Sequence, residues 1–182
     1  MIPYWRLFGR LGNSMFQGAY IYAQQRKGLI QDIYVQSEDY FKEFADEIRE
    51  LYGQGIVPVD SVAIHVRRAD YVGNPFYVDI FANGYYKRAM DLFPNKKFLV
   101  FSDDIEWCKE QEIFKGCEFS DERDEVIDLN KMAGCKGIIT ANSSYSWWGA
   151  FLGDKNKKVV APKEWYTDGV ERTKLLDTWQ KT

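Results

Sequence analysis

The run from Val62 to Tyr71 holds the chain's one histidine, His65, two residues before Arg67 and five before Asp70. In an extended strand, alternate residues face opposite ways, so Ala63, His65 and Arg67 point to one side and Ile64, Val66 and Arg68 to the other. A guanidinium at the end of a buried strand is costly without an anion. Its planar fork matches phosphate oxygens two at a time through charge-assisted hydrogen bonds. Arg67 is therefore read as facing an anionic ligand, and Arg68 as paired internally with a carboxylate such as Asp70.

Three other places carry comparable chemistry. Gly9, Arg10, Leu11, Gly12 and Asn13 follow an apolar opening run and precede a helical pattern. The glycines let a ligand approach the backbone, and Asn13 suits both a helix cap and an outward-facing amide. At Phe101 to Glu106, Asp103 and Glu106 have capping-box spacing, which is preferred to a metal site, while Ser102 is free to line a crevice. The stretch from Gly137 to Trp148 reads as a strand, a hydroxyl-rich turn at Asn142, Ser143 and Ser144, and a helix start. Unbonded N–H groups and the positive end of a helix make such a turn a natural phosphate site. Trp147 and Trp148 pair with Phe151 and Leu152 four residues on, which suits helix packing. Asn142-Ser143-Ser144 also has the form of a glycosylation triplet, discounted because nothing indicates secretion.

These four places need elements to hold them. Ser61 to Arg67, Lys97 to Ser102, Gly137 to Thr140 and Lys158 to Ala161 read as strands. Helical patterns lie between them near Gly84 to Phe93, Asp103 to Gln111, Asp124 to Gly134 and Ser144 to Leu152. Such alternation implies an α/β fold, a Rossmann-like parallel sheet with helices on both faces. Open sheets of that kind bind ligands beyond the carboxyl ends of their strands, where all four places fall. Ahead of them come a strand at Pro3 to Phe8, a helix at Asn13 to Lys27, a brief strand at Ile33 to Val35, and a helix from Ser37 to Tyr52. That last helix takes Ser37 as its cap, Phe41, Phe44, Ile48 and Leu51 as its apolar face, and Gly53 as its stop. Residues 1–58 form the expected small N-terminal lobe and residues 59–182 the larger Rossmann-like, ligand-binding domain.

Composition narrows the classes. At 182 residues with 46% hydrophobic and 28% charged residues, the chain is a globular domain that buries roughly 70% of its unfolded surface. No apolar run approaches the roughly 20 residues that cross a bilayer, and the first residues lack a signal peptide's apolar core, so a cytoplasmic location is expected. A net charge of −3 offers no global attraction to nucleic acid, so any anion must be gripped locally. Three cysteines without a Cys-x-x-Cys pair, and a single histidine, argue against a disulfide framework or a zinc site. Gly53-Gln54-Gly55 precedes a strand instead of following one, and no GxxxxGK occurs, which excludes a P-loop.

Six ordered blocks then carry a resemblance: residues 9–17, 36–41, 65–71, 101–104, 141–148 and 161–165. They resemble the motifs of family 11 glycosyltransferases, the α-1,2-fucosyltransferases. The resemblance implies a reduced GT-B-like fold and an inverting transfer of fucose from GDP-fucose to a glycan hydroxyl, with no metal and no other cofactor. It implies that Arg67 holds the β-phosphate, that His65 and Asp70 shape the same strand end, and that Asp128 contacts guanine. Ser143, Ser144 and Tyr145 would hold the diphosphate, with Asn142 and Ser102 nearby and Arg10, Gly12 and Asn13 facing them from the lobe. The general base stays open among His65, Asp70 and Glu38. Departures from the family pattern are Ala69 in place of glycine, Ser14, Gly18, and a short stretch between Lys27 and Gln36 where relatives carry acceptor-side chain. A non-catalytic GDP-sugar or glycan-binding remnant is the alternative reading.

Overall fold

The computed structural model describes residues 11–27 and 36–182. The expected strands at 3–8 and 33–35, and Arg10, lie outside them. Six strands form one sheet: β1 (Val59–Val66), β2 (Phe98–Ser102), β3 (Glu118–Phe119), β4 (Cys135–Ile139), β5 (Lys158–Ala161) and β6 (Gln180–Lys181). Every pairing is parallel, in the order β3-β2-β1-β4-β5-β6. This is the Rossmann arrangement, whose chain reverses direction across the sheet between β1 and β4 and opens a crevice there.

Helices cover both faces, as the strand-helix alternation requires. On one side lie α1 (Leu11–Lys27), α2 (Ala45–Tyr52), α5 (Glu125–Ala133) and α6 (Ser144–Leu152). Their buried residues, among them Phe16, Ile48, Met132 and Trp148, join Ala63 and Ile138 of the sheet in one cluster. On the other side α3 (Tyr85–Asp91) and α4 (Ile105–Glu110) pack Tyr85, Tyr86 and Cys108 against Val62, Ile64 and Val66. The period-2 split of β1 is thus realised, with Ala63 in one core and Ile64 in the other. The two tryptophans are packing residues: Trp147 stacks on Phe151 at 5.1 Å, and Trp148 stacks on Phe41 at 5.6 Å. Their indole N–H groups donate to Lys174 O and Gly12 O, so neither is buried with its polar edge unmet.

Four sequence-based expectations change. The single helix from Ser37 to Tyr52 is two 3-10 turns, Glu38–Tyr40 and Lys42–Phe44, followed by α2. Ser37 caps the first turn, accepting from Asp39 N at 3.1 Å, while Phe41 stays fully buried and Leu51 is 50% exposed. The helix after β2 is capped by Asp104, which accepts from Trp107 N; Asp103 is released for another role and no Asp103–Glu106 box forms. Asn13 does not cap α1, which already runs from Leu11. Strands β3 and β6 were missed because two-residue edge strands are too short to show a period.

Candidate active site

The carboxyl ends of β1, β2, β3 and β4 enclose a cavity of about 500 Å³. Its wall includes Gly12, Asn13, His65, Arg67, Asp70, Ser102, Asp103, Asp128, Ser143, Ser144 and Tyr145, so nearly every residue singled out from the sequence converges there.

The α6 side is a helix tip. Ser143 stands at its N-cap position in extended backbone, φ −141° and ψ 131°, yet its side chain makes no capping bond. The first N–H groups of α6 consequently have no intrahelical acceptor and the dipole's positive end faces the cavity. Ser146 stiffens the turn from beneath, accepting from Ala141 N at 3.0 Å and donating toward Ser143 O at 3.2 Å. The start of α1 meets this tip closely: a Cβ on Gly12 would sit 2.6 Å from Ser144 C and Tyr145 N. Only glycine fits there. Asn13 Oδ1 accepts from Ser144 Oγ at 2.9 Å and from Gln36 Nε2 at 2.6 Å, and Gln36 Oε1 accepts in turn from Thr173 Oγ1 at 2.7 Å. Gln36 is a positioning residue that the sequence did not single out by itself.

The β1 side carries charge. Arg67, its side chain 11% exposed, donates to Asp103 at 2.5 Å and to Asp70. Asp103 also accepts from the Arg68 backbone N–H at 2.9 Å. Arg68 turns away, donating to Asp104 at 3.1 Å and lying over the Trp107 ring at 3.4 Å. Arg68 is indeed internally paired, but its partner is Asp104, and Asp70 belongs to Arg67. The reason is local: a 3-10 turn at Ala69–Tyr71 folds Asp70 back over the strand end. Ala69 is accommodated there, since among the described non-glycine residues only Asn95 has positive φ. His65 is buried, with its ring 5.4 Å from that of Tyr145.

On the β3 side Asp128 accepts from Ser120 Oγ at 2.6 Å. Burial raises its carboxyl above the ordinary aspartate range, partly opposed by the Ser120 bond. Tyr145 donates to Glu125 O at 2.7 Å, and burial pushes its phenol well up, so it remains a neutral donor. Asp124 caps α5 by accepting from Val126 N and Ile127 N. Ser102 lines the cavity while its hydroxyl accepts from Asp104 N at 3.0 Å.

Two expected site residues fall elsewhere. Asn142 is not on the cavity wall; its amide donates to Val78 O and Trp165 O at 3.0 and 3.2 Å, tying two loops together. Glu38 lines a separate cavity beside Arg49 and Phe151 and does not reach this one. Tyr71 and Tyr77, stacked at 3.7 Å with 7° between planes, line the cavity and were not assigned a role from the sequence. The signal available for Tyr77 was an aromatic pair, Phe76 and Tyr77, after a Gly-Asn-Pro turn.

The model of glycosyl transferase family 11 matches residues 10–181. An Escherichia coli "Alpha-1,2-colitosyltransferase" is 34% identical over 77% of this chain and 57% of its own length. The E. coli "O-antigen biosynthesis glycosyltransferase WbnK" is 32% identical over 66% of this chain and 44% of its own. The Rattus norvegicus "Galactoside alpha-(1,2)-fucosyltransferase 2" is 28% identical over 58% and 33% respectively. The chain thus spans between a third and somewhat over half of these relatives. No described helix is long and apolar enough to cross a membrane.

Proposed function

The chain belongs to glycosyl transferase family 11, and we propose that it transfers a 6-deoxyhexose, fucose in the first instance, from its GDP derivative to a hydroxyl of a glycan, inverting the anomeric centre. One observation carries this reading: Arg67 and the serine-lined tip of α6 share a single cavity at the reversal point of a Rossmann sheet.

The steps follow from charge. The acceptor oxygen bonds to the sugar C1 as the bond from C1 to the β-phosphate oxygen breaks, and the electron pair of that bond leaves with GDP. Negative charge grows on the departing oxygen between the Arg67 guanidinium and the free N–H groups at Ser144 and Tyr145. Donors fixed in place before the reaction stabilise such charge without reorganising. Gly12 and Asn13 hold the tip in that geometry. The acceptor's proton passes to a carboxylate at the mouth, for which Asp70, 63% exposed, is our assignment; His65, nearly enclosed, shapes the strand end. Asp128 and Ser120 receive the guanine edge on the β3 side. Arginine and a helix tip together supply the charge that a divalent ion supplies elsewhere, so activity in EDTA is expected.

Differential scanning with GDP, UDP and their sugars, with and without EDTA, tests the donor class, because a ligand of the native state raises the melting temperature by mass action. GDP compounds should shift it and UDP compounds should not. A UDP preference, or loss of the GDP shift in EDTA, would overturn the assignment. The competing reading is a binder of GDP-sugar without transfer. It predicts calorimetric heat with GDP-fucose but no release of GDP.

A further inference from the structure

Resting on that reading of the cavity, we propose that the stacked tyrosines Tyr71 and Tyr77 form the acceptor platform, on which a pyranose ring of the glycan packs before transfer.

Position along the sheet is the first argument. Asp128 is fastened to Ser120 immediately after β3, at one edge of the sheet, while Arg67 follows the central β1. Tyr77 pairs with Tyr166, which follows β5, on the far side of β4. A nucleotide sugar laid with its base at Asp128 and its phosphates between Arg67 and α6 therefore points its transferred sugar toward Tyr77. Whatever attacks that sugar must come from this side.

Chemistry is the second argument. The α6 tip and β3 side are polar and charged, whereas this end of the same cavity is aromatic. Phe76, 39% exposed, packs edge-on against Tyr77 at 5.1 Å and backs the pair with a third aromatic ring. A pyranose has one face of C–H groups and a rim of hydroxyls, which suits an aromatic wall bordered by Asp70. A base would also stack, but the purine's place is at the opposite end of the phosphate cradle.

Rigidity is the third. Thr167 N donates to Phe76 O at 3.1 Å, Thr167 Oγ1 to Pro75 O at 2.6 Å, and Val78 N to Trp165 O at 3.1 Å. Asn142 bridges the same two loops, and Arg172 lies over both Phe76 and Tyr166. The platform is ordered before any sugar arrives, which lowers the entropic cost of capture. Asn142 thus acts on the acceptor side, through the loops it ties.

The test measures two ligands separately on the wild-type chain, Y77A and Y77F: GDP by calorimetry, and lactose, a simple galactoside, by saturation-transfer NMR in the presence of GDP. We expect equal GDP affinity in all three, lactose affinity lower by about tenfold in Y77A, and near-normal lactose affinity in Y77F, which keeps the ring face. Lactose binding that is unaffected by Y77A, or absent from the wild type while GDP binds, overturns the platform and leaves the donor site standing. Failure of the wild type to bind GDP instead overturns the reading on which the platform rests. Should Y77A melt too low for binding, Y77F against Tyr77→Leu decides: Leu preserves apolar bulk but not the flat face, so equal lactose affinity in those two refutes stacking.

Discussion

The two walls of the cleft solve anion binding in different ways. At α6 the donors are backbone N–H groups and serine hydroxyls, uncharged, fixed by the close approach of Gly12 and the bonds through Asn13. At β1 the donor is a full charge, and it is held by two carboxylates, Asp70 and Asp103. A helix tip can wait unneutralised because its partial charge is small and partly solvated. A nearly enclosed guanidinium cannot, because an isolated charge there is heavily penalised. The wall with formal charge therefore needs counter-charges that an arriving diphosphate must share, whereas the helix tip needs none.

Breaking each wall in turn should expose that difference. Arg67→Ala has the largest expected effect, a loss of about 2 to 4 kcal/mol in transition-state stabilisation, read as turnover of GDP-fucose with GDP affinity much less changed. Near-normal turnover would remove the charged wall from the mechanism. Gly12→Ala strikes the uncharged wall through packing: the methyl cannot fit against the Ser144 backbone, so destabilisation of about 1 to 3 kcal/mol is expected by denaturant unfolding, with weakened GDP binding. An unchanged midpoint would show that the two helix tips are not held as closely as the geometry states. Ser144→Ala removes one neutral hydroxyl and its bond to Asn13, for a loss of about 0.5 to 1.5 kcal/mol in GDP affinity by calorimetry. If it matched Arg67→Ala, the contrast between the walls would fail.

Asp128→Asn should be mildest, and opposite in sign for stability. Because burial raises this carboxyl in the folded chain, the fold binds its proton more readily than the unfolded chain does. Its contribution therefore falls as pH rises from the ordinary aspartate value of about 4 through the raised one. Urea midpoints of wild type and variant should sit closest near pH 4, with the variant ahead at pH 7 while binding GDP less tightly. A variant that is less stable at pH 7 would show that the Ser120 bond outweighs the burial.

The β5 strand and the α6 helix were legible to the residue, because buried parallel strands and apolar helices write unbroken runs between turn residues. The division of β1 into two faces was equally legible, since alternation is a property of the extended backbone itself. The pairing of Arg67 was not. A reading limited to nearest neighbours assigned Asp70 to Arg68, yet the partner set was decided by a 3-10 turn and by Asp103, thirty-six residues away and just past the end of β2. Asn142 was misplaced for a similar reason: its neighbours are loops 64 and 23 residues distant in sequence.

Chain order alone thus determined the strand-helix alternation, the crevice at the strand ends and the residue types gathered there, because these depend on periodicity and local turn chemistry. Only the assembled fold decided which carboxylates hold Arg67, why position 12 admits nothing larger than glycine, and that two tyrosines six residues apart stack into one wall. Those outcomes depend on distances between segments remote in sequence, and such distances exist only once the sheet has brought the segments together.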